Sequence, residues 1–222
     1  MSNVIYGQYD SQAYPLKRFY YEDLPQRINT VLLRLSQMRL AVVRGGLAFV
    51  FLLNETKYLL KDLDMLAVEN KKECILDVLT EANIVYVNKN TFGDSVITAF
   101  WKSDTSYYKL DILLCNNFPN TCEKNVDGIN VTVVSASYIW KNRIEKIAEK
   151  EIRKHDDKKT LNHYRVVNEL SKYLLNHKSE ILITDIETVN SKLPDVKTVL
   201  SHIINENDLE DFLQLQTELV RS

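Results

Sequence analysis

Three short motifs, in a fixed order along the chain, constrain this sequence most. Arg44-Gly45-Gly46 lies between a β-branched run and an apolar segment, Asp62-Leu63-Asp64 opens the next apolar run, and Asp111 precedes a later one. Side chains two apart on a strand point to the same face, so Asp62 and Asp64 would project together. A lone Asp on an apparent central strand also needs a reason, because burying an unpaired charge is costly. The motifs therefore predict carboxylates gathered beside a glycine turn.

The residue types in these motifs suit phosphate and metal chemistry. Glycines let the backbone approach a ligand closely, and the free N–H groups of a helix start attract phosphate. Two adjacent carboxylates repel each other, and Mg²⁺ (or Mn²⁺) removes that repulsion while also binding phosphate oxygens. Each motif alone also fits a plain turn or a strand cap. Their order and spacing favour a metal site formed by Asp62, Asp64 and Asp111.

The hydrophobic pattern predicts an α+β fold: a mixed β-sheet core flanked by helices, followed by a C-terminal helical domain. We expect a core domain over 1–135, which includes a surface arm of about twenty residues and a helix beginning near Tyr21 to Pro25, and a helical domain over 136–222. The predicted strands are Ala41–Val43, Leu63–Val68, Ile84–Val87, Ser95–Trp101, Tyr107–Leu114 and Ile129–Val134. The later predicted helices are Leu47–Asn54, Lys71–Glu81, Ser137–Arg153, Lys158–Asn176 and Val196–Val220, the last one broken around Asn205 to Asp208.

Composition and charge narrow the class of protein. Hydrophobic residues make up 45% and charged residues 26% of the 222 residues, which is ordinary for a globular chain. The chain shows no secretory start, no apolar run long enough to span a bilayer, and three cysteines without a C-x-x-C pair, so we expect a cytoplasmic protein that binds no membrane. Lys141 to Arg165 carries nine basic and five acidic residues, which suits either solvated helix faces or an RNA-binding surface.

The three motifs resemble the signature of the DNA-polymerase-β-type nucleotidyltransferase superfamily. The likeness is strongest to the AbiEii-like abortive-infection nucleotidyltransferase toxins, which begin Lys-Gly-Gly-Thr and continue to Asp-Ile-Asp. It extends to the segment after the last predicted strand, where Val134 to Trp140 is followed by Arg143. It spans roughly residues 40 to 175, and only the three motifs within it are specific.

The resemblance implies a reaction and a set of partners. Asp62, Asp64 and Asp111 would be the catalytic and metal-binding residues, with Asp111 either a ligand or the base. Arg44, Gly45, Gly46 and Arg143 would bind the nucleotide. A nucleoside monophosphate would pass from a nucleoside triphosphate (NTP) to a hydroxyl of RNA, such as tRNA, or of a protein. A toxin or defence role with a cognate antitoxin is the cellular expectation.

Two departures from the family pattern leave alternatives open. Leu47 stands where the group has a hydroxyl residue after the glycines, and Tyr58 and Leu60 stand where it has Arg-x-Ser/Thr. The changes remove groups that position the nucleotide, so a catalytically inactive binding module of the same fold is one alternative. A small-molecule adenylyltransferase is the other, and it predicts an acidic acceptor pocket.

Overall fold

A computed structural model describes residues 4–90 and 93–221, which form two compact units, Met1–Val134 and Ser135–Ser222. The first unit is built on an eight-stranded mixed sheet with the strand order β1-β4-β5-β6-β3-β2-β8-β7. Its strands are β1 (Val4–Tyr6), β2 (Val42–Arg44), β3 (Leu63–Val68), β4 (Ile84–Lys89), β5 (Ser95–Ser103), β6 (Ser106–Cys115), β7 (Thr121–Val126) and β8 (Ile129–Val134). The α+β fold class predicted from the sequence is confirmed.

Strands β3 and β6 lie at the centre of the sheet, and their alternating sequence separates a core face from a polar face. On β6, Leu110, Ile112 and Leu114 are buried, whereas the residues between them remain partly accessible. Three helices accompany the sheet: α1 (Gln26–Gln37), α2 (Gly45–Leu53) and α3 (Lys72–Val78). Helices α1 and α2 pack against strands β2, β3 and β8. The central carboxylate-bearing positions therefore lie on strands that the neighbouring strands and helices hold in place.

The second unit consists of four helices, α4 (Ala136–Ala148), α5 (Asp157–Asn176), α6 (Ile183–Leu200) and α7 (Glu206–Val220). Side-chain caps define three of their starts: Ser135, Asp156 and Asn205 each accept a hydrogen bond from a backbone N–H of the first turn. A buried polar contact joins two helices, because Trp140 Nε1 donates to Gln216 Oε1 at 2.7 Å. The unit therefore has its own fully packed core.

Several predicted elements differ from the structure. The expected surface arm contributes strand β1, which pairs in parallel with β4, so part of the arm belongs to the sheet. Strand β7 was not predicted, because its sequence alternates polar residues with few apolar ones. Helix α6 begins at Ile183 rather than Val196: it continues through Pro194, and its buried Asp185 accepts a hydrogen bond from Ser137 and pairs with Lys141.

Two further findings concern the sequence-based expectations about cysteines and membranes. In the described part of the chain, Cys74, Cys115 and Cys122 form no disulfide. Across residues 4–90 and 93–221, none of the helices combines the length and the apolar character that a membrane span requires.

Candidate active site

A row of four side chains runs across the centre of the sheet in the first unit. Asp64 on β3 is the register partner of Asp111 on the parallel strand β6. Thr98 on β5 faces Asp111 from the other side, and Arg44 on β2 faces Asp64. Directly opposed residues of neighbouring strands share one face, so the row Thr98, Asp111, Asp64, Arg44 lies on a single face. The structure thus brings Asp64 and Asp111 together, and Thr98 Oγ1 donates to Asp111 Oδ1 at 2.8 Å.

A lysine joins the third carboxylate to this row. Lys109 Nζ lies 2.6 Å from Asp111 Oδ2 and 3.3 Å from Asp62 Oδ2. The ammonium is largely buried, with 12% of its side chain exposed. Although burial lowers the pKa of Lys109, the charges of Asp111 and Asp62 raise it above the ordinary value. Lys109 therefore stays charged and holds two of the three predicted carboxylates in one place.

Asp64 forms no ion pair among the described residues, and its environment disfavours its charge. Burial and the neighbouring charge of Asp62, opposed by the charge of Arg44, together raise the pKa of Asp64 to about 6. Three carboxylates thus face two cationic side chains, Lys109 and Arg44. The cluster therefore has an excess of negative charge, which one more cation would offset.

The donor set suits a divalent cation in its chemistry. Carboxylate oxygens are the ligands that Mg²⁺ prefers, and Asp64, which forms no ion pair in the part of the chain that the structure describes, supplies one such carboxylate. Within residues 4–90 and 93–221, no group of three or more His, Cys, Asp or Glu side chains is found that could hold a metal ion. Lys109 contacts both Asp62 and Asp111, so its ammonium already offsets part of the negative charge of these two carboxylates.

The glycine turn lies directly beside Asp64. Gly45 starts helix α2 with φ at +68°, a conformation that non-glycine residues rarely adopt, and a Cβ there would collide with Asp64 Oδ2. A Cβ on Gly46 would lie 3.0 Å from the Tyr58 ring and 3.1 Å from Leu60 Cδ2. A side chain is therefore excluded at the two glycines by different neighbours. Gly45 leaves room for the Asp64 carboxylate, and Gly46 leaves room for the segment after α2.

The positions that depart from the family pattern form apolar packing around this turn. Leu47 is fully buried, Leu60 is 2% exposed, and the Tyr58 ring lies 5.0 Å from that of Phe49. Leu47 and Leu60 provide neither a hydroxyl nor a guanidinium at the turn.

A cavity of about 580 Å³ opens over the row of side chains. Its wall includes Asp64, Asp111, Arg44 and Thr98 from the sheet, together with residues of the N-terminal arm and of the end of β4. The arm residue Tyr9 reaches this cavity. Burial raises the pKa of Tyr9, Lys109 lowers it, and the charges of Asp111 and Asp62 raise it further, so its hydroxyl lies within the field of the carboxylate cluster.

Arg143 belongs to the second unit, where it lies on α4. Its Nη1 is 2.8 Å from His163 Nδ1 on α5. Burial, together with the charges of Arg143, Lys146, His155 and Lys159, lowers the pKa of His163 to about 2. Arg143 is therefore part of a cationic cluster in the helical unit.

Sequence reasoning missed three residues of the site: Lys109, Thr98 and Tyr9. A signal existed for Lys109, because it is two residues from Asp111 on the same strand and so shares its face. Thr98 could be found only with the register between β5 and β6. Tyr9 could be found only from the path of the arm.

Comparison with solved structures identifies the fold. The chain resembles an antigenic nucleotidyltransferase-like protein from Paracoccidioides brasiliensis, with a TM-score of 0.59, 12% identity, and coverage of 90% of this chain and 95% of that one. The chain has a nucleotidyltransferase-like fold. The antibiotic-resistance factor ANT(2'')-Ia aligns over 79% of this chain and 94% of its own, with 15% identity and a TM-score of 0.47. No protein-family model and no curated protein sequence matches the chain.

The similarity to the Paracoccidioides brasiliensis protein confirms the fold that the motif resemblance implied. The closer likeness to the AbiEii-like toxins stays a prediction. The roles of the site residues likewise remain predictions.

Proposed function

We propose that this chain is a metal-dependent nucleotidyltransferase that transfers a nucleoside monophosphate from an NTP to a hydroxyl of RNA or protein. The observation that carries the proposal is the pairing of Asp64 with Asp111 in adjacent parallel strands, with Asp62 tied to them through Lys109. Carboxylates gathered on one face beside a helix start are the groups that metal-assisted phosphoryl chemistry needs. The nucleotidyltransferase-like fold supports this choice over other phosphate chemistry.

Each residue has a task in the proposed reaction. Asp62 and Asp64 would hold Mg²⁺ (or Mn²⁺), which when bound offsets the negative charge of the triphosphate. The N–H groups at the start of α2 and the Arg44 guanidinium bind phosphate oxygens. Asp111 accepts the proton of the attacking hydroxyl. The new oxygen–phosphorus bond forms at the α-phosphorus as the bond to pyrophosphate breaks.

A direct test separates the reaction from the acceptor. The protein is incubated with each of the four NTPs, labelled at the α-phosphorus, with Mg²⁺ and with total RNA or a protein extract. Release of pyrophosphate with label in RNA or in protein supports the proposal and names the acceptor class. Asp111→Asn is expected to lose transfer, whereas Asp94→Asn, at an exposed loop position, is expected to keep it.

The catalytically inactive binding module remains the second candidate, and two observations favour it. Lys109 already occupies the space between Asp62 and Asp111, and Leu47 offers no hydroxyl at the glycine turn. This candidate predicts nucleotide binding without pyrophosphate release. The small-molecule adenylyltransferase is supported less, since the cavity wall in the first unit balances Asp64 and Asp111 against Arg44 and Lys89 rather than being acidic.

The finer features of the proposal rest on the motif resemblance. A phosphate contact by Arg143 predicts that Arg143→Ala weakens NTP binding, while Arg221→Ala, at an exposed position on the same unit, does not. A toxin or defence role predicts that induced expression slows growth, and that Asp62→Asn/Asp64→Asn abolishes the effect. Co-expression with a cognate antitoxin would restore growth.

A further inference from the structure

The N-terminal arm places a tyrosine hydroxyl in the candidate active site. The Tyr9 ring is held by other aromatic rings, with centroid distances of 5.2 Å to Phe100 and 5.4 Å to Tyr86. Edge and tilted contacts of this kind fix the orientation of a ring. Tyr9 lines the same cavity as Thr98, Asp64 and Asp111, and the charges of Lys109, Asp111 and Asp62 act on its hydroxyl. Tyr9 thus combines an anchored ring with a hydroxyl in the cavity that contains the carboxylate row.

Thr98 and Lys109 hold the nearby Asp111 carboxylate. Thr98 Oγ1 donates its proton to Asp111 Oδ1 at 2.8 Å, and Lys109 Nζ lies 2.6 Å from Asp111 Oδ2. Asp111 in its charged form can only accept, so it can take the proton of a hydroxyl in the same cavity.

Space for a nucleotide adjoins the same hydroxyl. Tyr9, Arg44, Asp64 and Asp111 all line the cavity of about 580 Å³, a volume within the range of small-molecule sites. The hydroxyl and the metal-binding carboxylates are therefore neighbours across one open space. An acceptor that is part of the chain is held there without loss of translational freedom, which raises its effective concentration.

We propose that Tyr9 is itself an acceptor, so that the protein attaches a nucleoside monophosphate to its own arm. The inference rests on the proposed nucleotidyltransferase function. Tyr9 Oη attacks the α-phosphorus of the NTP, and the bond from that phosphorus to the bridging oxygen of pyrophosphate breaks. The proton of the tyrosine hydroxyl passes to the Asp111 carboxylate. The products are a Tyr9 phosphodiester and pyrophosphate, which leaves with the electron pair of the broken bond.

The modification would change the site that makes it. A nucleotide attached to Tyr9 would remain in the cavity beside Arg44 and Asp64 and would exclude a second NTP. Self-modification would therefore stop after one nucleotide per chain and would lower transfer to any other acceptor. This form of regulation requires no other protein.

The test measures the intact mass of the purified full-length chain before and after incubation with Mg²⁺ and each NTP, followed by peptide mapping. We expect one added nucleoside monophosphate, located at Tyr9. Tyr9→Phe keeps the ring and its packing and should abolish the addition. Tyr6→Phe, at an exposed tyrosine on β1, is the matched control and should be modified as the wild type is.

A parallel NTP-binding measurement separates the two proposals. If NTP binds, and binding is lost in Asp62→Asn/Asp64→Asn, but no mass is added at Tyr9, the self-acceptor proposal is overturned and the proposed function stands. Addition that persists in Tyr9→Phe also overturns it. Absence of both NTP binding and added mass in a folded sample overturns both.

Discussion

Asp64 and Asp111 are register partners on adjacent parallel strands, although 47 positions separate them in the sequence. This pairing holds two carboxylates on one face of the sheet, where their mutual repulsion opposes folding. The protein offsets that repulsion with Lys109, which contacts Asp111 and Asp62, and with Arg44, which faces Asp64. The charge that remains on Asp64 is what a metal–nucleotide complex can compensate. The predictions that follow test this balance.

Removal of the Lys109 ammonium should destabilise the free protein and increase its response to metal. Lys109→Met leaves Asp62 and Asp111 unpaired, and breaking such a pair in a mostly buried setting costs about 3 kcal/mol. Mg²⁺ should restore a larger share of the melting temperature in this variant than in the wild type, because the carboxylates become free to bind it. Calorimetry with and without Mg²⁺ measures both effects. Lys102→Met, at an exposed position, is the control and should change neither the melting temperature nor its response to Mg²⁺. An unaltered melting temperature in Lys109→Met would refute this account of the cluster.

The steric role of Gly45 can be separated from its backbone conformation. Gly128→Ala introduces a side chain at positive φ with open space around it, so we expect a loss of about 1 kcal/mol from backbone strain alone. Gly45→Ala adds a collision with Asp64 to the same strain, so the loss should reach about 3 kcal/mol. Urea unfolding measures both. The double variant Gly45→Ala/Asp64→Ala should recover the extra stability that Gly45→Ala loses relative to Gly128→Ala. Equal losses of stability in the two single glycine variants would contradict the close approach of Gly45 to Asp64.

The neutral, buried His163 predicts a loss of stability in acid. Burial and the charge of Arg143 lower the pKa of His163 to about 2 in the folded state, whereas an unfolded histidine titrates near pH 6.5. The stability is therefore fully present above pH 6.5 and is lost as the pH falls below it, because only the unfolded state then binds the proton. Between pH 7 and pH 5 the loss should be about 2 kcal/mol.

Hydrogen exchange of the α4 and α5 amides as a function of pH measures this loss in the second unit. In His163→Asn the change between pH 7 and pH 5 should become small, since no titrating group remains at that position. The exposed His202 provides the matched control, and His202→Asn should retain the wild-type dependence. The same dependence in His163→Asn would show that another group is responsible.

The parts of the fold that were predicted correctly have strong local patterns. Strands β3 and β6 combine apolar residues with period-two alternation, so both strands followed from the sequence pattern. Helices α4, α5 and α7 begin directly after Ser135, Asp156 and Asn205, which are residues of the types that cap helices. Each of these features depends on residues close together in sequence.

The missed parts depend on long-range register or on exceptions to local rules. The contact of Lys109 with Asp62 exists only because β3 and β6 pair in one register. Tyr9 reaches the site because β1, a strand of three residues, pairs with β4 at the edge of the sheet. Helix α6 continues through Pro194, a residue that usually ends a helix, because tertiary packing outweighs the lost hydrogen bond. No single-sequence pattern encodes these outcomes.

The most direct test of the central claim is a thermal-shift panel of ATP, GTP, CTP and UTP with Mg²⁺, comparing the wild type with Asp62→Asn/Asp64→Asn. An NTP at 100 times its Kd should stabilise the wild type by about 2.7 kcal/mol, a shift of several degrees. We expect this shift with at least one NTP, only in the presence of metal, and not in the double variant. No shift with any NTP, or an equal shift in the double variant, would contradict the assignment of the carboxylate row as a metal-dependent nucleotide site.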